Sequence, residues 1–433
     1  MKKWLLYFAA ALIAVGCDIA GIGPSDVPVV SEYDRVAIIY SPGYNTISEY
    51  LKGDVREILN SPSEWLPIRG GKKALLVFSH NTAKAYDFAT PTSPYLFRIM
   101  RDYDGSVICD TLLTLEAGTR IVDPEVARDV MEYIGEKFPS KHYGMLFSSH
   151  GTGWLPKGYY GTQQSEQNVL WSYGHRRQGI QPPPGAVPYI MPDPDDIPVK
   201  SIGNELEQGA GGKNWSYEMD IPEFLTACPL HFDYLLLDCC LMGGIETAYE
   251  FRKIADYIGF SAAEIPAEGF YYTNLSQHLL YETPANPMAV CSDFYQMALQ
   301  RSGSQRTAVI SYIDCSKLEA FALVSARIFE KYRTEINSVN PSDVQGFFRH
   351  NQHFFYDMLD IVEKAGVQGE DYDQFVTALN DCVLYRAHTE KVMTTVTVRR
   401  FCGFSMFLPC NGNDLLRDFY KGLAWNKATA LVK

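Results

Sequence analysis

The chain predicts an α/β fold with a mostly parallel sheet, on three observations. Short apolar runs at residues 35–40, 73–78, 143–147 and 234–237 lack the alternation of a half-exposed strand. Strands buried on both faces read this way. Segments of helical spacing lie between them, as in a sheet built from strand–helix–strand units. The length of 433 residues, 46% hydrophobic and 21% charged, suffices for one large core plus an additional region. The net charge of −13 argues against nucleic acid as a partner.

Taken in order, the first segment is targeting rather than fold. Lys2 and Lys3 precede an apolar stretch over residues 4–15, closed by Ala14-Val15-Gly16-Cys17. That is a charged start, a short apolar region and a small-residue cleavage site, and the stretch is too short for a good membrane span. The placement of Cys17 resembles a bacterial lipobox. It implies a signal peptide over residues 1–16 and an exported protein lipid-anchored to the cell envelope, at the outer membrane, through Cys17. The competing reading is an ordinary cleaved signal peptide that ends near a cysteine. Residues 17–34, rich in Gly, Pro, Ser and Asp, read as a tether.

A strand at 35–40 opens the core, followed by a helix over 46–59 with Ile47, Leu51, Val55 and Ile58 on one face. A second strand covers 73–78. Asp104-Gly105 is a turn signal between strands at 95–100 and 106–109, hence a hairpin. Asp123-Pro124 caps a helix carrying Val126, Val130, Met131 and Ile134. Residues 155–219 show no period and carry Pro-rich loop chemistry. They are expected to form a long loop insertion holding Lys157, Arg176, Arg177, Lys200 and Lys213, which are candidate activation cuts if the chain cuts after basic residues; the other reading is a solvated insertion that is never cut. Asp220 with Pro222 starts a short helix. Beyond the strand at 234–237, Ile245, Ala248, Tyr249 and Ile254 mark a helix, and 256–260 a strand. The core is therefore set at 35–279. Residues 280–433 read as a mixed accessory region, with helical spacing at 288–300, 315–333, 345–366 and 373–389 and strands at 307–313 and 396–408.

The chemistry concentrates at two strand ends. The run at 234–237 stops at Asp238-Cys239-Cys240, at the carboxyl edge where open α/β sheets bind ligands. A thiol near a helix N-terminus is favoured as thiolate. A thiol alone is more often a buried small hydrophobe, and a nucleophile needs a base within reach. The strand at 143–147 ends at His150-Gly151-Thr152-Gly153-Trp154. If the two strands are parallel neighbours, His150 and Cys240 project from one edge. Glycine at 151 lets the backbone approach a ligand, and its N–H could serve an oxyanion. His80 ends a similar strand but lacks the following glycines. Alternation along an extended segment places Asp238 and Cys240 on one side and Cys239 on the other.

These residues resemble the clostripain-like cysteine peptidases, which have caspase-type folds. Three motifs carry the resemblance: Ser149-His150-Gly151-Thr152-Gly153-Trp154; Asp238-Cys239-Cys240-Leu241-Met242 with Glu246 and Tyr249 behind it; and residues 263–270, which include Glu264 and Glu268. Order and spacing agree from about Arg35 to Tyr272, and the tail from about 280 matches loosely. The resemblance implies a three-layer α/β/α core. It also implies a Cys–His dyad of Cys240 and His150, with the Gly151 and Cys240 amides as oxyanion donors. Asp238 would be the acid at the floor of the pocket for the residue before the cleaved bond, hence cleavage after a basic residue, Arg first and Lys second. Glu264 and Trp154 are further substrate-binding candidates, Trp154 also reading as core. The family usually has a small residue where Cys239 stands. Other readings are a catalytically silent binding or adhesion protein on the same fold, and a Cys-dependent amidase or acyltransferase. No cofactor is needed for the chemistry. Calcium is used by some relatives, but no EF-hand-type loop is visible. None of the ten cysteines has zinc-site spacing, and Cys402 and Cys410 are a possible disulfide.

Overall fold

A computed structural model describes residues 30–159, 184–189, 202–209, 212, 214–349 and 353–433. Cys17, the signal segment and most of the expected tether lie outside them. Among the described residues, no helix is long and apolar enough to cross a membrane.

The elements follow the expected alternation. They run β1 (Arg35–Gly43), α1 (Ser48–Leu59), β2 (Lys73–Asn81), β3 (Tyr95–Arg101), β4 (Val107–Thr114), α2 (Pro124–Lys137) and β5 (Tyr143–Ser148). After the insertion strands β6 (Val187–Tyr189), β7 (Ile202–Gln208) and β8 (Asn214–Met219) come α3 (Ile221–Ala227), β9 (Phe232–Asp238), α4 (Ile245–Phe251) and β10 (Ala255–Ser261). The C-terminal part adds α5 (Pro287–Gln300), β11 (Val309–Asp314), α6 (Leu318–Lys331), α7 (Met358–Lys364), α8 (Glu370–Cys382) and β12 (Val383–His388). Helices α9 (Asp414–Lys421) and α10 (Ala424–Thr429) follow near the C-terminus.

One nine-stranded sheet, ordered β12-β11-β10-β9-β5-β1-β2-β3-β4, organises the molecule. The central strands β10, β9, β5, β1 and β2 are parallel, and the outer strands on both sides are antiparallel. Helices cover both faces. Leu235 and Leu237 point into a core shared with α2, α3, α4 and α6. Tyr234 and Leu236 point into a second core with α1 and α5. The unbroken apolar runs are thus strands buried on both sides. Asp123 accepts from the Glu125 amide at the start of α2, as the Asp-Pro pair predicts.

Four expectations need correction. The insertion at 155–219 is not a plain loop, because β6, β8 and β7 form a small antiparallel sheet. It is fastened to the core by the Glu205 carboxylate on His80 Nδ1 at 2.5 Å and by the Leu206 amide donating to the Tyr44 carbonyl at 2.8 Å. Residues 345–366 are not one helix. Phe348, Phe354 and Phe355 are buried in the main core and Phe347 in a separate small cluster, so their spacing does not mark one helical stripe, and helix begins only at Met358. Residues 383–388 form an edge strand, with the alternating exposure of a period of two. Over 396–408 only short pieces pair, among them Ser405–Met406 with Tyr356–Asp357. The region 280–433 therefore completes the central sheet and both cores. Cys402 and Cys410 are free thiols, bonded to the carbonyls of Phe404 and Val339.

Glu246 shows how the C-terminal part is fastened. Its carboxylate, fully buried on α4, accepts from the Phe407 amide at 2.8 Å and the Tyr420 hydroxyl at 2.7 Å. Burial pushes its pKa up to about 7, against the two donors. The folded state thus binds this proton more tightly than the unfolded chain. The associated stability is full below the unfolded carboxylate range and is lost as pH rises through about 7. Glu246→Gln should flatten the fall in thermal stability between pH 5 and pH 8. The difference is worth up to about 3 kcal/mol, and parallel melts of the two proteins would measure it.

Candidate active site

The site follows from one register. Strands β5 and β9 pair in parallel, with Phe147 opposite Leu237 and Ser148 opposite Asp238. Two residues further along each chain stand His150 and Cys240, so both leave the sheet together at its carboxyl edge. The sequence-level alternation holds here. Asp238 follows Tyr234 and Leu236 toward the α1 face, whereas Cys239 is buried on the other face with its sulfur 3.7 Å from the Phe147 carbonyl.

His150 is held by the turn between β1 and α1. Its Nε2 lies 3.0 Å from the Thr46 hydroxyl. Neighbouring Asn45, fully buried, donates to the carbonyls of Pro42 and Asn204, both at 2.9 Å. Ser149 donates to the same Pro42 carbonyl at 2.7 Å. The β1 turn, the histidine turn and the insertion are thereby locked to one another. A Cβ on Gly151 would lie 2.8 Å from both Cys239 Cβ and the Cys240 carbonyl, which only a bare backbone tolerates. Among the described residues, the Gly151 and Cys240 amides donate to no protein acceptor.

The Cys240 sulfur is partly buried and accepts from the Ile265 amide at 3.3 Å. Burial, with the charge of Glu264 next, pushes the thiol up to about 12. A resting thiolate, expected from a helix N-terminus, is therefore not what the surroundings favour. The helix itself, α4, starts only at Ile245 and has seven residues. Leu241, immediately after the nucleophile candidate, is held at φ +61°, a strained backbone for a branched side chain. Its amide is tied to the Ala263 carbonyl at 2.9 Å.

Asp238 is 5% exposed. Its Oδ2 accepts from the Phe270 amide at 3.0 Å, the Tyr272 hydroxyl at 2.8 Å and the Ser148 hydroxyl at 3.4 Å, and its Oδ1 has no partner. Burial raises the carboxyl to about 6 despite these donors. Gly269, at φ +60°, would place a Cβ 2.4 Å from Oδ2, so the loop over residues 263–270 reaches the acid only because that position is glycine.

Other candidates fare differently. Glu264 is 1% exposed, not a solvated loop acid, and accepts from Arg349 Nε at 3.0 Å. Trp154 is not a cleft wall: it is buried and packs edge-on against Phe407 and Tyr420, each at 5.0 Å. His80 is occupied on both ring nitrogens, by Glu205 and the Thr92 carbonyl. Lys157 is paired to Glu223 at 2.6 Å, and the other four basic residues of the insertion lie outside the described residues. Thr46 and Arg349 were missed because neither carries a motif. No group of three or more His, Cys, Asp or Glu among the described residues is placed to hold a metal ion.

Comparison with known proteins bears on the fold and the family. The fold matches that of an inactive zymogen C11 protease from Parabacteroides distasonis. The identity is 22%, the TM-score 0.68, and the match covers 93% of this chain and 99% of that one. It also matches a secreted C11 cysteine protease from Bacteroides thetaiotaomicron in complex with an irreversible peptide inhibitor. There the identity is 20%, the TM-score 0.68, and the coverage 92% of this chain and 99% of that one. No curated protein matches. The family model of the clostripain family, peptidase C11, matches residues 209–430. That is half of the chain, and it extends through the C-terminal region where motif spacing alone agreed only loosely. The chain therefore belongs to the clostripain family and is a cysteine peptidase.

Proposed function

We propose that the protein is an exported endopeptidase cutting after a basic residue, with Cys240 as nucleophile and His150 as base. The observation that carries this reading is the β5–β9 register. It brings both side chains to one edge, above a buried carboxylate that has no cationic partner among the described residues. With a thiol raised to about 12, attack requires proton transfer to the imidazole as sulfur meets the peptide carbonyl. The Thr46 hydroxyl, 3.0 Å from Nε2, orients the imidazole for that transfer. The Gly151 and Cys240 amides would receive the oxyanion, and each such donor is typically worth about 3 kcal/mol of barrier. His150 then protonates the leaving amine, and water, activated by the same imidazole, releases the acyl group. No cofactor enters these steps. An Arg or Lys side chain would give Asp238 the counter-charge it lacks. Export and anchoring through Cys17 rest on the N-terminal sequence. The Bacteroides thetaiotaomicron neighbour, described as secreted and bound to a peptide inhibitor, supports export and a peptide substrate.

Cys240→Ala should abolish turnover of a short-peptide panel, while Cys239→Ala should retain it. A thiol-reactive probe carrying an Arg-type group should label Cys240 alone, and labelling elsewhere would favour a different hydrolase. Asp238→Ala should lower kcat/KM after Arg or Lys by about a thousandfold, the scale of one lost buried charge partner, and unchanged kinetics would reject the assignment. Because a cation needs the ionised carboxyl, wild-type kcat/KM on such peptides should rise as pH passes upward through about 6. Glu264→Gln removes the charge that most raises the thiol after burial. It should speed alkylation of Cys240 by iodoacetamide at pH 8 several-fold, followed by mass spectrometry.

A further inference from the structure

Helix α1 carries an acid where its pattern calls for an apolar residue. Leu51, Val55 and Ile58 are buried on the face of α1 turned to the sheet, and Asp54 is buried among them, 7% exposed. Among the described residues Asp54 has neither a hydrogen bond nor an ion pair. The charges it feels most are two other carboxylates, first Asp238 and then Glu57. All three surround Tyr272. Asp238 takes its hydroxyl at 2.8 Å, Glu57 takes its amide at 3.1 Å, and Asp54 acts on the same phenol through space. No Lys, Arg or His among the described residues pairs with any of the three. Burial raises the Asp54 carboxyl well above the usual carboxylate range, because a buried acid with no partner is costly to ionise, and one oxygen of Asp238 is unpartnered as well.

The arrangement points to a missing cation. A metal ion is a poor fit, because no group of three or more such ligands is placed to hold one. Glu57 and Asp238 sit at opposite ends of Tyr272, on its amide and its hydroxyl, a spread that suits an extended cation. A guanidinium spreads one charge over a plane with five donors, whereas an ammonium is compact.

We propose that Asp54 is a second specificity-determining carboxylate of the pocket floored by Asp238, and that the two together select an arginine side chain over a lysine one. This rests on the reading of Asp238 as a pocket acid for basic residues. One carboxylate comes from α1 and the other from the end of β9, so the guanidinium is gripped from two elements rather than from the nucleophile strand alone.

The test is a matched peptide panel with Arg, Lys or norleucine before the cleaved bond, run on wild type, Asp54→Asn and Asp238→Asn. Asp54→Asn should lower kcat/KM for Arg peptides tenfold or more and lower the Arg-to-Lys ratio several-fold, while iodoacetamide alkylation of Cys240 is unchanged. An equal loss on all three peptides, or no loss, would overturn the role of Asp54. A wild type that ignores both Arg and Lys would instead overturn the basic-residue reading itself. If Asp54→Asn fails to fold, calorimetry on wild type alkylated at Cys240 decides. Butylguanidine should bind several-fold tighter than butylamine, and equal or reversed affinities would overturn the proposal.

Discussion

The parallel pairing of β5 with β9 is the constraint on which the rest depends. A buried strand pair with side chains locked to alternate faces cannot slip by one residue without turning every apolar side chain to the wrong core. Met145 and Leu146 fill opposite faces opposite Leu235 and Leu236. That same lock fixes the relative height of His150 and Cys240. The imidazole and the sulfur are brought level by the packing of strands they no longer belong to.

Around that edge the electrostatics are dominated by acids. Glu264 and Asp238 both raise the thiol, with Arg349 and the Ile265 amide opposing them. These surroundings favour a neutral thiol rather than a stored thiolate. Such a sulfur is protected from adventitious oxidation, which follows thiolate character, and a bound cation would offset part of the negative field.

The C-terminal region is part of this machinery, not an appendage. Strands β11 and β12 extend the sheet beyond β10. Glu246, on the helix behind the nucleophile turn, holds Phe407 and Tyr420. Arg349 reaches Glu264 beside the sulfur. The Ser405 amide donates to the Gly243 carbonyl at 2.8 Å, directly behind the turn. The extent of the family match, to residue 430, has this physical counterpart.

The parallel core, the first hairpin, the cap of α2 and the two strand ends bearing His150 and Cys240 were all legible in the sequence. Each depends on local signals: unbroken apolar runs, turn pairs and caps. The acid on the apolar stripe of α1 was equally visible in the letters, as Asp54 between Leu51 and Val55, but its partners were not. Four features were decided only by tertiary structure. Trp154 became core because Phe407 and Tyr420 close over it. Residues 383–388 became strand because β11 offered an open edge. The insertion acquired a sheet pinned by Glu205 on His80, and the Cys240 thiol rose rather than fell because burial and then the Glu264 carboxylate act on it. Local propensity is set by neighbours in the chain, whereas burial and charge are set by neighbours in space.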